Sequence, residues 1–410
     1  DLIVNALKRG LIYILAFFTI LQCYSLLSLI VPNRYFYLLI DFVLLILLLY
    51  EKKINANNNI FMIIIAYWLS LSLLFSNGYF RNMEFLFSVF LPFPLFLLFS
   101  CNRRNVLEYM AAYANIMFAL SAISLFFFTF GSILKIIQPT GFYPYTEIEW
   151  GRNDYFDYYH VYCEGQTVYA LGYSGIRNIA LFVEGPMLTY TLSFALYYEL
   201  FFREQGARKL YLIVMVATII TSFSTTGLLI VIALLYLRFY RVLKNNKFFK
   251  YLLQPIILFM LAYVGIYILK DKFASNVFSA SARTDDILSS FKCFFDNMLM
   301  GVGYQNIDGI SPYRLFNRAN AGVSTGIGAI VAYGGVLWGI WHIVPFIIGI
   351  ISYIPNPKQR TQTGFIIMAS ALLLVTVVQS RILCTIINSI SWSFILKNAN
   401  FKNNMKILRS

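Results

Sequence analysis

Unbroken apolar runs fill most of this chain, and short polar breaks separate them. Leu11–Val31 and Tyr251–Leu269 are two such runs. A helix needs roughly 20 apolar residues to cross the hydrocarbon core of a bilayer. A membrane β-barrel shows alternating segments of about ten residues instead. The runs here do not alternate, so the pattern predicts an all-α polytopic membrane protein. Spans fall near residues 11–31, 36–50, 60–76, 85–100, 110–131, 179–201, 210–223, 226–240, 251–269, 322–351, 363–379 and 382–396, about twelve in all. The pair over 210–240 is broken by Ser222-Phe223-Ser224-Thr225-Thr226-Gly227, which reads as a turn or as a polar kink. All of 1–410 reads as one integral membrane domain.

Two polar segments are much longer than the others, about 138–178 and 270–321. Long ordered loops gathered on one face commonly carry function. The first is rich in tyrosine and in acids, among them Glu147, Glu149, Asp154, Asp157 and Glu164. In the second, Thr284 is placed to cap a helix that opens with Asp285 and Asp286. Ile287, Leu288, Phe291, Phe294, Phe295 and Met298 then form one apolar stripe. That spacing predicts an amphipathic helix lying on the membrane or on the bundle.

Charge orients this arrangement. Charged residues make up only 12% of the chain, about half the share in a soluble domain. The net charge of +14 would suggest nucleic acid in a soluble protein. Here the short breaks carry the basic pairs Lys8/Arg9, Lys52/Lys53 and Arg103/Arg104, and the excess reads as positive-inside charge. Both termini are then cytoplasmic, and the two long segments lie outside. The five cysteines show no paired spacing and the two histidines are far apart, which argues against a zinc site. No cleavable leader is read, and the first span can start insertion itself.

Arg177 and Glu184 are the first candidates for chemistry. Both sit where the first long segment enters a span, a costly place for charge unless it is paired or functional. In a continuous helix they lie about two turns apart on one face. If Gly185-Pro186 starts the helix instead, Glu184 caps it. The plainer reading is a snorkelling arginine and a structural glutamate. Arg283 comes next, ahead of the amphipathic helix. A guanidinium binds phosphate oxygens in a two-pronged fashion, but Arg283 can equally pair with Asp285 or Asp286. Arg314, Arg318 and Arg381 are further outer-face cations. Gly301-Val302-Gly303-Tyr304 reads as a tight turn, since no strand and helix flank it as in a nucleotide loop. Gly326, Gly328, Gly334, Gly335 and Gly339 suit close helix packing. His342 reads as a packed histidine, and His160 as an acid or base or simply as loop. Tyr143, Tyr145, Tyr155, Tyr158 and Tyr159 offer rings for sugars or for an interfacial aromatic belt.

At these residues the chain resembles the Wzy-type O-antigen and capsular polysaccharide polymerases and their O-antigen ligase relatives. Arg177-Asn178-Ile179-Ala180-Leu181-Phe182-Val183-Glu184-Gly185-Pro186 is similar to the family's Arg-led segment with Glu and Pro. Ser224-Thr225-Thr226-Gly227 resembles its Ser/Thr-Gly helix start. Arg283 through Asn306, ending Leu299-Met300-Gly301-Val302-Gly303-Tyr304-Gln305-Asn306, resembles the Arg…Pro-Leu-x-Gly-x-Gly pattern, with Met298 about where proline is common. Asn320 through Gly335 is similar to the lead into a late span. The resemblance covers about 177–340.

It implies a membrane glycosyltransferase of GT-C-like architecture in the bacterial cytoplasmic membrane. The implied substrate is an oligosaccharide repeat unit on undecaprenyl diphosphate. The growing chain passes from its carrier to the next lipid-linked unit, with no cofactor and no metal. Arg177, Arg283 and Arg318 become diphosphate holders. Glu184 becomes the first candidate base, with Asp285 or Asp286 second. Tyr158, Tyr159, Tyr304 and Asn320 become sugar contacts. A chain-length regulator and a flippase are the implied protein partners. The ligase relatives usually carry a histidine in the second outer loop, and Lys270–Ala321 has none, which favours a polymerase. The rival class is a lipid-linked oligosaccharide flippase, although no internal symmetry of halves is visible.

Overall fold

The computed structural model describes residues 2–51, 56, 58–74, 83–144, 154–170, 173–243, 246–257, 259, 260, 263, 266, 270, 277–315, 323–353, 355 and 359–407. Its principal helices are α1 (Leu2–Gln22), α2 (Asn33–Tyr50), α3 (Asn58–Leu74), α4 (Met83–Phe99), α5 (Arg103–Ile133), α6 (Gly185–Tyr197), α7 (Lys209–Thr221), α8 (Thr225–Leu243), α9 (Val277–Asp296), α10 (Gly326–Tyr353), α11 (Arg360–Val375) and α12 (Ile382–Ile407). Among the described residues, five helices are long and apolar enough to cross a membrane: Ile3–Gln22 of α1, then α2, α5, α8 and α10. The helices α3, α4, α7, α11 and Ile382–Lys397 of α12 are apolar but shorter. The chain is a helical membrane protein.

It is not purely α. Between α5 and α6 lie β1 (Gly141–Tyr143), β2 (Tyr155–Tyr158) and β3 (Tyr162–Glu164), which form an antiparallel sheet in that order. They are followed by a hairpin of β4 (Thr167–Ala170) and β5 (Tyr173–Ile176). Strands of three or four residues are too short for periodicity to reveal.

The chain divides into two compact units. The first holds Asp1–Cys23, Val31–Ala112 and Ala282–Ser410; the second holds Tyr24–Ile30 and Tyr113–Ser281. In the first unit α1 packs on α2, α4 on α2 and α12, and α10 on α11. Rings fill the interior: Tyr67 stacks on Phe93 at 4.0 Å, and Trp341 stands 5.1 Å from Tyr67 and 5.4 Å from Trp392. At one end of this unit Lys8 reaches Glu51 and Asn105, and Lys397 bonds the Ser100 carbonyl at 2.6 Å.

The helix α10 is broken at Gly335, where φ is 57° and ψ is −149°. The segment after α9 fills the break. Val302 N–H donates to Ala332 O at 2.9 Å and Gly303 N–H to Tyr333 O at 3.0 Å. In return Val336 N–H donates to Met298 O at 2.7 Å and Leu337 N–H to Leu299 O at 3.3 Å. A broken helix can persist at membrane depth only if its freed backbone groups find partners inside the protein, and these four bonds supply them. The glycines predicted for close packing thus include one that ends a helix and restarts it.

The start of α9 differs from expectation. The helix already includes Val277, so Thr284 lies in its interior rather than at an N-cap, and Arg283 stands within the helix rather than ahead of it. Nothing between Val277 and Thr284 breaks a helix, and a mid-helix threonine mimics a cap in sequence. The polarity of α9 is also turned inward. Asp285, Asp286, Ser289, Ser290 and Cys293 are buried, while Ile287, Leu288, Phe291, Phe295 and Met298 are exposed. That arrangement suits lipid as the surrounding solvent, with polar groups kept inside the bundle.

Candidate functional site

In the second unit two helices start side by side. The helix α6 opens at Gly185, with Pro186 in its first turn, and α8 opens at Thr225. The predicted span at 179–201 therefore begins as irregular chain, where Ala180 has φ of 52°. Asn178 holds this stretch. It is buried, accepts from Ser124 Oγ and from Ala180 N–H, and donates to Thr221 Oγ1 at 3.2 Å. Ser224 caps α8 by accepting from Gly227 N–H at 3.4 Å, and its hydroxyl lies 3.1 Å from Thr189 Oγ1 of α6. A Cβ added to Gly227 would lie 2.5 Å from Thr189, so glycine lets the two helix starts close together. The interruption at Ser222–Gly227 is thus a turn, with Phe223 at φ 48°. Two helix N-termini place two partial positive charges at one end of this unit.

Arg177 lies against the first of them. It is half-buried, and its Cζ would be 3.3 Å from a Cβ on Gly185. Burial pulls its guanidinium below the usual range, and the charges of Glu184 and Tyr155 oppose that shift. Glu184 occupies the N-cap position in extended conformation, with φ −153° and ψ 153°. Its backbone carbonyl accepts from Leu188 N–H, but its side chain makes no cap hydrogen bond. So Gly185-Pro186 does start the helix with Glu184 at its N-cap position, and the cap is made by the backbone carbonyl rather than by the carboxyl. The arrangement brings Arg177 and Glu184 within electrostatic reach.

The tyrosines divide. Tyr158 is buried with Phe128 and Tyr162, so it packs a small core rather than an open sugar face. Tyr155 is buried too, and its hydroxyl donates to Val183 O at 3.0 Å. Tyr159 is 60% exposed at the β2–β3 turn, beside His160, and both have positive φ. His160 Nδ1 meets Asp157 at 2.6 Å; burial raises the Asp157 carboxyl, and His160 opposes this.

Other candidates belong to the first unit. Asp285 accepts from Leu315 N–H at 2.8 Å, and Asp286 is buried one residue on. Tyr304 is buried between Phe85 at 5.0 Å and Trp338 at 5.8 Å, so its ring packs inside the first unit. Arg283 is half-buried. Arg318, Asn320, Tyr145, Glu147 and Glu149 lie outside the described residues.

Two features were missed in the sequence. The first is a polar cluster at the end of the first unit opposite Lys8. Tyr37 Oη donates to Glu84 at 2.7 Å and accepts from Gln22 at 3.0 Å, and Gln22 accepts Ile382 N–H at 2.9 Å. Buried Arg381 acts electrostatically on Tyr37. The second is Asp41. It is buried midway along α2, and neither carboxyl oxygen has a hydrogen-bond partner among the described residues. The sequence did signal it, as the lone acid in an apolar run. No family model, curated protein or solved structure matches this chain.

Proposed function

We propose that this chain polymerises lipid-linked oligosaccharide repeat units at the outer face of the bacterial cytoplasmic membrane. The observation that supports this most is Arg177, half-buried beside the paired starts of α6 and α8, with Glu184 at hand. A guanidinium and two helix N-termini together favour a diphosphate. As the glycosyl bond to the carrier breaks, the departing lipid diphosphate gains negative charge, and donors already in place stabilise it. The incoming sugar hydroxyl must lose its proton to a nearby base, and Glu184 serves in that role.

The direct test supplies purified protein with its lipid-linked repeat unit. A ladder of products is expected. A single transfer to a lipid or protein acceptor would mean a ligase, and exchange between leaflets without new bonds would mean a flippase.

Asp41 favours the flippase as the second reading, because unpartnered carboxyls inside spans commonly mark ion or proton paths. Polymerisation needs no such path. Asp41→Asn keeps the shape and removes the titratable proton, so chain growth is expected within about twofold of wild type, well under the 1.4 kcal/mol that marks a tenfold change. Normal insertion with loss of lipid-linked oligosaccharide exchange would shift the reading to a transporter.

A further inference from the structure

Gln166 stands one position before β4, and Arg177 one position after β5. The two extend the hairpin ladder, since Arg177 N–H donates to Gln166 O at 3.1 Å. The side chain of Gln166 then turns to the guanidinium. Its Oε1 accepts from Arg177 Nε at 2.9 Å and from Nη2, and from Gly185 N–H at 3.4 Å. One neutral oxygen thus gathers the side edge of the guanidinium and the first N–H of α6.

Arginine has five N–H donors in a planar fork. Gln166 takes the Nε edge, and no other hydrogen bond to the Arg177 guanidinium occurs among the described residues. The end-on pair, Nη1 and the second Nη2 hydrogen, stays open for a bidentate contact. The same unit shows the contrasting arrangement. Arg208 is locked to the buried carboxylate of Glu199, and its guanidinium lies 3.2 Å over the Tyr211 ring. There the charge is spent on structure. At Arg177 the anchor is an amide, which orients the guanidinium without neutralising it.

We propose that Gln166 is a positioning residue. It fixes Arg177 by its side edge and leaves the charge and the end-on fork for an anion of the diphosphate class. This rests on the reading of Arg177 as the diphosphate holder.

The test uses the purified full chain in detergent with inorganic diphosphate as probe. Binding is measured by calorimetry and folding by thermal unfolding, for wild type, Gln166→Glu and Gln166→Ala. The glutamate is nearly isosteric and forms a stronger, charged bond to arginine. It is expected to unfold at the same temperature or higher, yet to bind diphosphate roughly 10–100-fold more weakly, because its carboxylate offsets the guanidinium charge and sets a like charge beside the anion. Gln166→Ala is expected to bind more weakly as well, because the fork loses its anchor. A merely structural Gln166 predicts wild-type affinity for Gln166→Glu, because the charged bond keeps the local fold, and that result overturns the proposal. Tighter binding by Gln166→Ala overturns it too, since Gln166 would then block the fork. If Gln166→Ala fails to fold, Gln166→Glu decides alone. Wild type that binds no diphosphate overturns both this role and the reading of Arg177. Wild type that binds diphosphate but makes no polymer overturns the polymerase alone.

Discussion

Arg177→Lys is expected to lower the rate of chain growth by roughly 10²–10³-fold, the cost of removing one preorganised donor to developing charge. The charge survives this change, so the loss reports on shape. Lysine ends in a single Nζ and offers no planar fork. That Nζ can bond to Gln166 Oε1, as Arg177 does now, or turn to a ligand, but it cannot present a fixed two-pronged face while anchored. Folding is expected to hold, because Asn178, Thr221 and Ser224 fix the local chain without the arginine side chain. Arg104→Lys is the control; that side chain is exposed and, among the described residues, pairs along its own helix with Glu108. The measurement is the product ladder from purified protein over time, beside thermal unfolding of each variant. Normal rates and normal chain lengths from Arg177→Lys would remove the diphosphate role. Arg283→Lys in the same assay tests the arginine inside α9 by itself.

How far the sequence reached depends on the kind of signal. Membrane helices were legible because the apolar runs at α1, α2, α5, α8 and α10 are long enough to span on composition alone. The strands of the β1–β5 region were not, since runs of three or four residues are too short to show alternation. Arg177 and Glu184 were legible as charges beside a span. Gln166 was not, because only the β4–β5 register carries it to Arg177. Tyr158 and Tyr304 show the same limit from the other side. A tyrosine in a polar segment reads alike whether it meets solvent or packs a core, and burial alone separates the two. Asp41 was open to view: a single acid in an apolar run needs no partner in sequence to be noticed, only the cost of charge in hydrocarbon.

The break in α10 carries the other large effect. Gly335→Ala is expected to destabilise the protein by roughly 3–5 kcal/mol, combining Gly-only backbone geometry with a steric clash. At φ 57° and ψ −149° a side chain is strained whatever the space. There is also no space: an added Cβ would lie 2.5 Å from both Met298 O and Leu299 O. Those two carbonyls accept the N–H groups of Val336 and Leu337, so the clash attacks the bonds that let the helix restart. Gly301→Ala attacks the other side of the same crossing, where its Cβ would lie 2.3 Å from the Tyr333 carbonyl carbon. Freed backbone groups cannot turn to water in an apolar bundle, so their loss is not recovered. Because both glycines serve one crossing, the double variant should fall short of the sum of the two singles. Gly10→Ala is the comparison, since nothing lies within 4 Å of its added Cβ, and it should be neutral or slightly stabilising. Thermal unfolding of the detergent-purified variants, with size-exclusion profiles for yield, measures the difference. Wild-type midpoints for Gly335→Ala and Gly301→Ala would mean that the crossing does not hold α10 in its broken form.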